Sequence, residues 1–180
     1  MIVPEQTIKR EVIYKGRVLE YVVDTVDVNG KSAGREMVFH PGGVAVVAMD
    51  EKGYVCMVRQ FRKPYEKAIL EIPAGKIDTG EEPEVCGKRE LMEETGYSAN
   101  HFVSLGQFYP SVGYTNEVIH IFLATGLSKG DANPDEDEYV DIERIHIDEL
   151  VSMIMSGEIK DGKTIAAILK THILNPGNNM

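Results

Sequence analysis

The most informative segment of the sequence is GKIDTGEEPEVCGKRELMEETGY, residues 75–97. Its second half predicts a helix over residues 82–95, because Pro83 suits a first helical turn and Gly96 suits a helix end. Thr79 precedes this helix at the spacing of a capping box. We therefore expect a helix that follows a glycine-containing turn and stops at a glycine.

The predicted helix carries its acidic residues on one face. Residues three and four positions apart are neighbours on a helix, so Glu90, Glu93 and Glu94 lie on the same face. The apolar residues lie on the other side and should face the core: Val85, Leu91 and Met92. The helix should therefore have a core face and a carboxylate face.

The charge pattern alone leaves two interpretations of the carboxylate face open. Carboxylates fixed on one rigid helix can bind a hard divalent cation such as Mg²⁺, which neutralises phosphate charge and can lower the pKa of an attacking water. Alternatively, the face is a solvated acidic surface on which Arg89 pairs with Glu93, since like charges on an exposed helix cost only a few tenths of a kcal/mol each.

The spacing of the segment distinguishes the two interpretations. Five residues separate Gly75 from Glu81, and seven residues separate Glu81 from the run Arg89-Glu90-Leu91-Met92-Glu93-Glu94-Thr95-Gly96. This is the pattern of the Nudix box, and a chance match of its seven fixed identities has a probability on the order of 10⁻⁶ for a chain of this length. The sequence therefore resembles a Nudix hydrolase. Its one departure is Tyr97, where the family usually has an aliphatic residue.

A looser resemblance, from about Tyr14 to Leu169, is to the ADP-ribose pyrophosphatases within that superfamily. It is carried by three segments: Val58–Arg62 with Leu70–Asp78, Ser111–Glu117, and Gly157–Thr164. In the second segment Val112 replaces the proline that these enzymes usually have, which bears on the shape of the substrate loop.

The resemblance implies a metal site and a general base. Ala74, through its carbonyl, would bind the metal together with Glu90 and Glu94, and Glu81 would support them. The cation would be Mg²⁺, with Mn²⁺ as an alternative. The base would be Glu136 on a loop after the box, with Glu138 or Glu93 as alternatives, because an attacking water needs a carboxylate within hydrogen-bond reach.

Arginines near the box are candidate substrate contacts. Arg59 and Arg62 are the basic residues that the resemblance favours, since a guanidinium suits bidentate contact with phosphate. Arg35 is a further candidate. The alternative for all three is an ordinary surface charge.

The rest of the chain predicts an α+β protein. The Asn29-Gly30 pair predicts a hairpin between strands over residues 18–28 and 31–39. Further strands are predicted over residues 44–49, 54–59, 69–73, 102–109, 118–125 and 139–147, and further helices over 148–155 and 161–172. With the resemblance, this indicates a Nudix α/β/α sandwich with a mixed sheet and an N-terminal antiparallel β subdomain. The expected division is a hairpin subdomain over residues 1–40, a hydrolase domain over 41–175 and a flexible tail over 176–180.

Composition limits the classes of partner. The 180 residues include 29 acidic and 19 basic side chains, a formal charge of −10. This balance argues against binding to nucleic acid or to an anionic membrane, both of which need clustered Lys and Arg. Cys56 and Cys86 lack metal spacing, and Cys56 lies in an apolar run that predicts a buried thiol. The first residues do not resemble a signal peptide, so a cytoplasmic protein is expected.

The predicted activity is metal-dependent hydrolysis of the diphosphate bond of ADP-ribose to AMP and ribose 5-phosphate. Two alternatives stay open: hydrolysis of another nucleotide sugar such as GDP-mannose or ADP-glucose, and a non-catalytic Nudix module that binds ADP-ribose. The resemblance also implies a homodimer in which the N-terminal hairpin is exchanged and helps to build the partner's adenosine pocket.

Overall fold

The computed structural model describes residues 2–130 and 140–174. In chain order, its strands are β1 (Gln6–Lys15), β2 (Glu20–Val28), β3 (Lys31–Phe39), β4 (Gly43–Met49), β5 (Tyr54–Arg62), β6 (Lys67–Glu71), β7 (Ala74–Lys76), β8 (Tyr97–Phe108), β9 (Ile119–Lys129) and β10 (Val140–His146). The helices are α1 (Pro83–Thr95), α2 (Ile147–Met155) and α3 (Gly162–Leu174), and a short 3₁₀ turn covers Lys63–Tyr65.

The N-terminal sheet is antiparallel, in the order β1-β2-β3. Asn29 and Gly30 both have positive φ, 55° and 81°, as a two-residue hairpin turn requires, and they join β2 to β3 where the sequence predicts. The third strand, β1, was not predicted as a separate element. All ten of its residues are exposed.

The second sheet is mixed. Its order is β10-β5-β4-β9-β8, with β6 paired to β5 and β7 paired to β4. The β4–β9 pair is parallel and the other pairs are antiparallel. Every residue of β4 is buried, as expected for a central strand covered on both faces.

Helices cover both faces of the mixed sheet. On one face, Met57 packs with Leu150 of α2 and Ile168 of α3. On the other face, Cys56 packs with Leu91 of α1. The predicted α+β sandwich with a mixed sheet and an antiparallel N-terminal sheet is confirmed.

The described residues group into two compact units. One comprises residues 2–42 and 109–118, and the other residues 43–108, 119–130 and 140–174. Within the first unit, the amide of Val38 donates to the Tyr114 carbonyl at 2.7 Å, so the later segment returns to β3. That return was not predicted. The division at residues 40 and 175 stays a prediction.

Two local predictions about α1 were wrong. The N-cap residue is Glu82, without a side-chain cap, so Thr79 does not cap the helix. Val85, predicted to face the core, is 58% exposed, while Cys86 is buried in its place. The predicted stop is confirmed, since Gly96 adopts a left-handed conformation with φ 72° and its amide donates to the Met92 carbonyl. No helix among the described residues is long and apolar enough to cross a membrane.

Candidate active site

Helix α1 presents its glutamates to the short strand β7. The helix is anchored on the sheet by Leu91, which is 1% exposed, and by Gly87, where an added Cβ would lie 3.0 Å from the Phe102 ring. This packing fixes the rotation of the helix. It leaves Glu90 and Glu93 partly exposed and Glu94 buried at 3% exposure.

Glu90 packs directly on the backbone of Gly75. A Cβ added at Gly75 would lie 1.9 Å from Cδ of Glu90, a separation that no pair of non-bonded carbon atoms can adopt. Only a residue without a side chain at position 75 therefore leaves room for the Glu90 carboxylate.

Glu94 is attached to the preceding residue of the same strand. The amide of Ala74 donates to Oε2 of Glu94 at 3.1 Å. Ala74 and Gly75 thus hold the two carboxylates that the resemblance names as principal metal ligands. One contact is a hydrogen bond and the other is a close approach of backbone to side chain.

Arg89 holds the other carboxylates of the box. Its Nη1 donates to Oε1 of Glu90 and to Oε2 of Glu93, both at 2.8 Å. Its Nε and Nη2 donate to the two oxygens of Glu81, at 2.9 and 3.0 Å. These bonds, chiefly those to Glu81, raise the pKa of the Arg89 guanidinium and lower that of the Glu81 carboxyl to about 2. Arg89 therefore orients three carboxylates at once.

The donor set suits a hard divalent cation. Three carboxylates, those of Glu81, Glu90 and Glu93, share the single positive charge of Arg89, and Glu94 lies on the same helix, so negative charge is in excess and attracts cations. All of their donors are oxygen atoms, the ligands that Mg²⁺ takes. Within the described part of the chain no three His, Cys, Asp or Glu side chains already converge as a metal site. The set therefore fits a cation by charge and donor type.

The candidate bases fall in two places. Glu136 and Glu138 lie outside the described residues. Glu93 is described, and its carboxylate pairs with Arg89 at 2.8 Å while its side chain is 38% exposed. The choice among the three stays a prediction.

The candidate substrate arginines lie in different surroundings. Side chains alternate along β5, so Arg59 is on the face of Met57, covered by α2 and α3, and Arg62 is on the face of Cys56, covered by α1. Arg59 pairs with Glu143 at 2.6 Å and lines a cleft of about 210 Å³ together with Met153.

Arg62 instead makes a bidentate ion pair with Glu71. Its Nε and Nη2 each donate to one carboxylate oxygen at 2.7 Å. Arg35 belongs to the N-terminal unit and pairs with Glu5. Its role in substrate binding stays a prediction.

Sequence reasoning assigned no role to Glu71 or Lys163. Glu71 is 2% exposed and accepts from both Arg62 and Lys163. The one signal in the sequence is a charge at the end of the otherwise apolar run Ala68-Ile69-Leu70, and one of its two partners, Lys163, is 92 positions away. Pairing over such a distance cannot be read from local pattern.

The two cysteines are buried thiols. Burial raises the pKa of Cys56 to about 11 and that of Cys86 to about 12. Both are unpaired, and Cys56 is buried as predicted. Neither is therefore a thiolate nucleophile near neutral pH.

Comparison with known proteins agrees with the geometry. The family model of the NUDIX domain matches residues 39–168. A crystal structure of an ADP compounds hydrolase superposes with a TM-score of 0.86, covering 96% of this chain and 95% of that one. At 20% sequence identity, this likeness concerns the fold.

Sequence relatives cover most of the chain. An ADP-ribose pyrophosphatase of Bacillus subtilis is 45% identical over 91% of this chain and 90% of the relative. A methanol dehydrogenase activator of Bacillus methanolicus is 47% identical over the same shares. A GDP-mannose pyrophosphatase of Yersinia enterocolitica is 34% identical over 92% of this chain and 93% of the relative.

Proposed function

This chain belongs to the NUDIX family, and from that premise we propose that it hydrolyses the diphosphate bond of ADP-ribose to AMP and ribose 5-phosphate. The observation that carries the proposal is the set of carboxylates that Gly75, Ala74 and Arg89 hold on one face of α1. The name of the Bacillus subtilis relative supports this substrate.

The residues that would hold the divalent cation are Glu90 and Glu94, with the Ala74 carbonyl and with Glu81 in support. When bound, Mg²⁺, or Mn²⁺ in its place, offsets the charge of the diphosphate and of the phosphate that leaves. Arg89 keeps Glu90 and Glu81 oriented, and Gly75 leaves the space that Glu90 occupies.

The reaction is the transfer of one phosphoryl group to water. The water oxygen forms a bond to one phosphorus, and the bridging oxygen leaves with the other, so that each product is a phosphate monoester. The proton of the water goes to a carboxylate, for which Glu136 is our first choice, before Glu138 and Glu93. Arg62 lies on the face of β5 that α1 covers and is our candidate for contact with the diphosphate.

We also propose that the protein acts as a homodimer in the cytoplasm. Strand β1 supports the dimer, because its large apolar side chains are more than half exposed: Ile8, Val12, Ile13 and Tyr14. A row of exposed apolar residues on a strand is typical of a surface that pairs with another chain. The two unpaired cysteines suit a reducing compartment.

The test of the activity is product analysis with Mg²⁺ and a panel of ADP-ribose, NADH, ADP-glucose, GDP-mannose and diadenosine polyphosphates. AMP released chiefly from ADP-ribose by the wild type, and not by Glu90→Gln, is the expected result. Preferential hydrolysis of GDP-mannose or ADP-glucose would indicate specificity for another nucleotide sugar. Binding of ADP-ribose without any turnover would indicate that the protein is a binding module and not an enzyme.

A second candidate function is the activation of a dehydrogenase. It is favoured by one observation, the 47% identity with the methanol dehydrogenase activator. The test adds the wild type or Glu90→Gln to a methanol dehydrogenase and follows the initial rate. Stimulation by the wild type alone would tie activation to the hydrolytic site, and no stimulation would dismiss this candidate.

A further inference from the structure

Glu71 forms a buried ionic cluster with two cations from distant parts of the chain. Its side chain is 3% exposed and accepts from Nε and Nη2 of Arg62, at 2.7 Å each, and from Nζ of Lys163. The Lys163 side chain is 12% exposed, and its Nζ also lies 3.0 Å from Oδ2 of Asp161. We call Arg62, Glu71 and Lys163 the Glu71 cluster.

Stability does not account for this cluster. Removing the charges of Glu71 and Lys163 from water is costly, and apolar side chains of the same size usually stabilise a fold as well or better. Although burial raises the pKa of Glu71, its bonds to Arg62 and Lys163 lower the pKa overall, so the carboxyl stays ionised and the cluster stays charged. A charged group kept inside at such cost indicates a role in the site.

A short run of backbone connects the Glu71 cluster to the carboxylates of α1. The amide of Ile72 donates to Oγ1 of Thr164 at 3.0 Å, and the Pro73 carbonyl accepts from Val46 at 2.9 Å. The amide of Ala74 then donates to Glu94 at 3.1 Å. Each of these consecutive residues is thus fixed by a hydrogen bond, and the cluster lies three residues from Ala74.

The ion pair uses only part of the Arg62 guanidinium. Glu71 takes Nε and Nη2, so Nη1 is not part of this ion pair. The two N–H donors of Nη1 are therefore not used by Glu71. The charge of Glu94 contributes to the raised pKa of Arg62, after the hydrogen bonds and charge of Glu71.

We propose that Glu71 and Lys163 are positioning residues, which hold Arg62 so that Nη1 contacts the diphosphate of the substrate. This inference rests on the proposed function. Glu71 fixes the plane of the guanidinium through two parallel bonds, as bidentate pairs do. Lys163 holds Glu71, and it compensates a carboxylate whose charge would otherwise cancel that of Arg62 at the substrate.

The test is a double-mutant cycle between Lys163→Met and Arg62→Lys, read as kcat and KM for ADP-ribose. Lys163→Met should lower kcat/KM about tenfold to hundredfold, the size expected when a hydrogen bond to a charged group is lost, and chiefly by raising KM. In the Arg62→Lys background the same change should cost less than about twofold, because the residue it acts through is already altered. Lys163→Arg should restore most of the activity.

Controls separate positioning from loss of structure. Lys160→Met removes an exposed lysine of the same segment and should leave kcat and KM unchanged. If Lys163→Met does not fold, Glu71→Gln, which keeps one acceptor for Arg62, takes its place in the cycle. Effects of Lys163 and Arg62 that simply multiply, or a loss confined to kcat with KM unchanged, would overturn the proposal.

Failure of the proposed function gives a different result. If the wild type hydrolyses nothing in the panel, the cycle is measured as the calorimetric Kd for ADP-ribose. Coupling between the two positions in Kd would retain the positioning role in a binding module. A wild type that turns over ADP-ribose, with no coupling in either readout, would refute the positioning role alone, and one that neither binds nor hydrolyses ADP-ribose would overturn both.

Discussion

The carboxylate of Glu90 occupies the space that any side chain at residue 75 would need. An added Cβ at Gly75 would lie 1.9 Å from Cδ and 2.1 Å from Oε1 of Glu90. The position of this glycine in the box segment therefore has a steric cause, and the position of the carboxylate depends on it.

Gly75→Ala should lower kcat/KM strongly while it lowers the free energy of unfolding only slightly. The methyl group displaces the flexible end of Glu90 rather than backbone, so the fold should survive while the carboxylate is misplaced. We expect kcat/KM to fall about 100-fold or more, as misplacement of a catalytic group by about 1 Å does. Gly34→Ala is the matched control, since nothing lies within 4 Å of an added Cβ there. Activity of Gly75→Ala near that of the control would contradict the steric argument.

Glu90→Gln and Glu94→Gln should each lower kcat by orders of magnitude. Both changes keep the size of the side chain and remove the charge that a divalent cation needs. Glu84→Gln on the same helix is the control, because Glu84 is exposed and pairs with Lys88 on the surface. Circular dichroism and steady-state kinetics are the measurements. Full turnover by both box variants would remove these residues from the metal site.

Divalent cations should stabilise the protein as well as activate it. A ligand that binds only the folded state raises the melting temperature. We expect Mg²⁺ to raise the Tm of the wild type, and EDTA to reverse this rise and to abolish turnover. The double variant Glu90→Gln/Glu94→Gln should show no such rise, and a rise of equal size in that variant would place the cation elsewhere.

Asp24 should make the stability of the N-terminal sheet depend on pH. Hydrogen bonds from Arg10 lower the pKa of this buried carboxyl below its usual value of about 4. A lowered folded-state pKa contributes stability that is complete above about pH 4 and is lost as the pH falls through the folded-state value. The difference in free energy of unfolding between wild type and Asp24→Asn should therefore shrink as the pH falls from 6 to 2. A constant difference would contradict this reasoning.

Charges placed on β1 should separate the homodimer. Ile8→Glu/Val12→Glu puts two carboxylates on a strand whose ten residues are all exposed. Light scattering at micromolar concentration should give a dimer for the wild type and a monomer for this variant. Val103→Glu, which changes another exposed valine, is the control and should stay dimeric. A monomeric wild type would refute the dimer.

Sequence reasoning predicted what is local and missed what is distant. Helix α1 was predicted within one residue, because Pro83 and Gly96 mark its ends. The turn at Asn29-Gly30 was also predicted from a local signal, because an Asn-Gly pair favours a hairpin turn. Strand β1 was missed as an element because its pairing with β2 follows no strong turn signal and both of its faces are exposed.

The candidate site divides in the same way. The glutamates of α1 follow from spacing, and their contact with Arg89 follows from proximity along the helix. The Glu71 cluster could not be predicted, because Lys163 reaches Glu71 only after β5, β6 and α3 have packed. Likewise, the separation of Arg59 from Arg62 follows from which face of β5 each helix covers.

The parallel pairing of β4 with β9 sets the order in which the protein can be built during synthesis. Gly43 pairs with Ile119, and Val58 of β5 pairs with Ile142 of β10. Strands β4 and β5 therefore pair with strands more than seventy residues later in the chain. Contacts so distant in sequence make folding slow, because a long loop must close before they stabilise anything. Helix α1 leaves the ribosome before β9 and β10. At that stage its carboxylates repel one another, and the sheet on which it packs is incomplete. The mixed sheet can therefore form completely only after residue 146 has emerged.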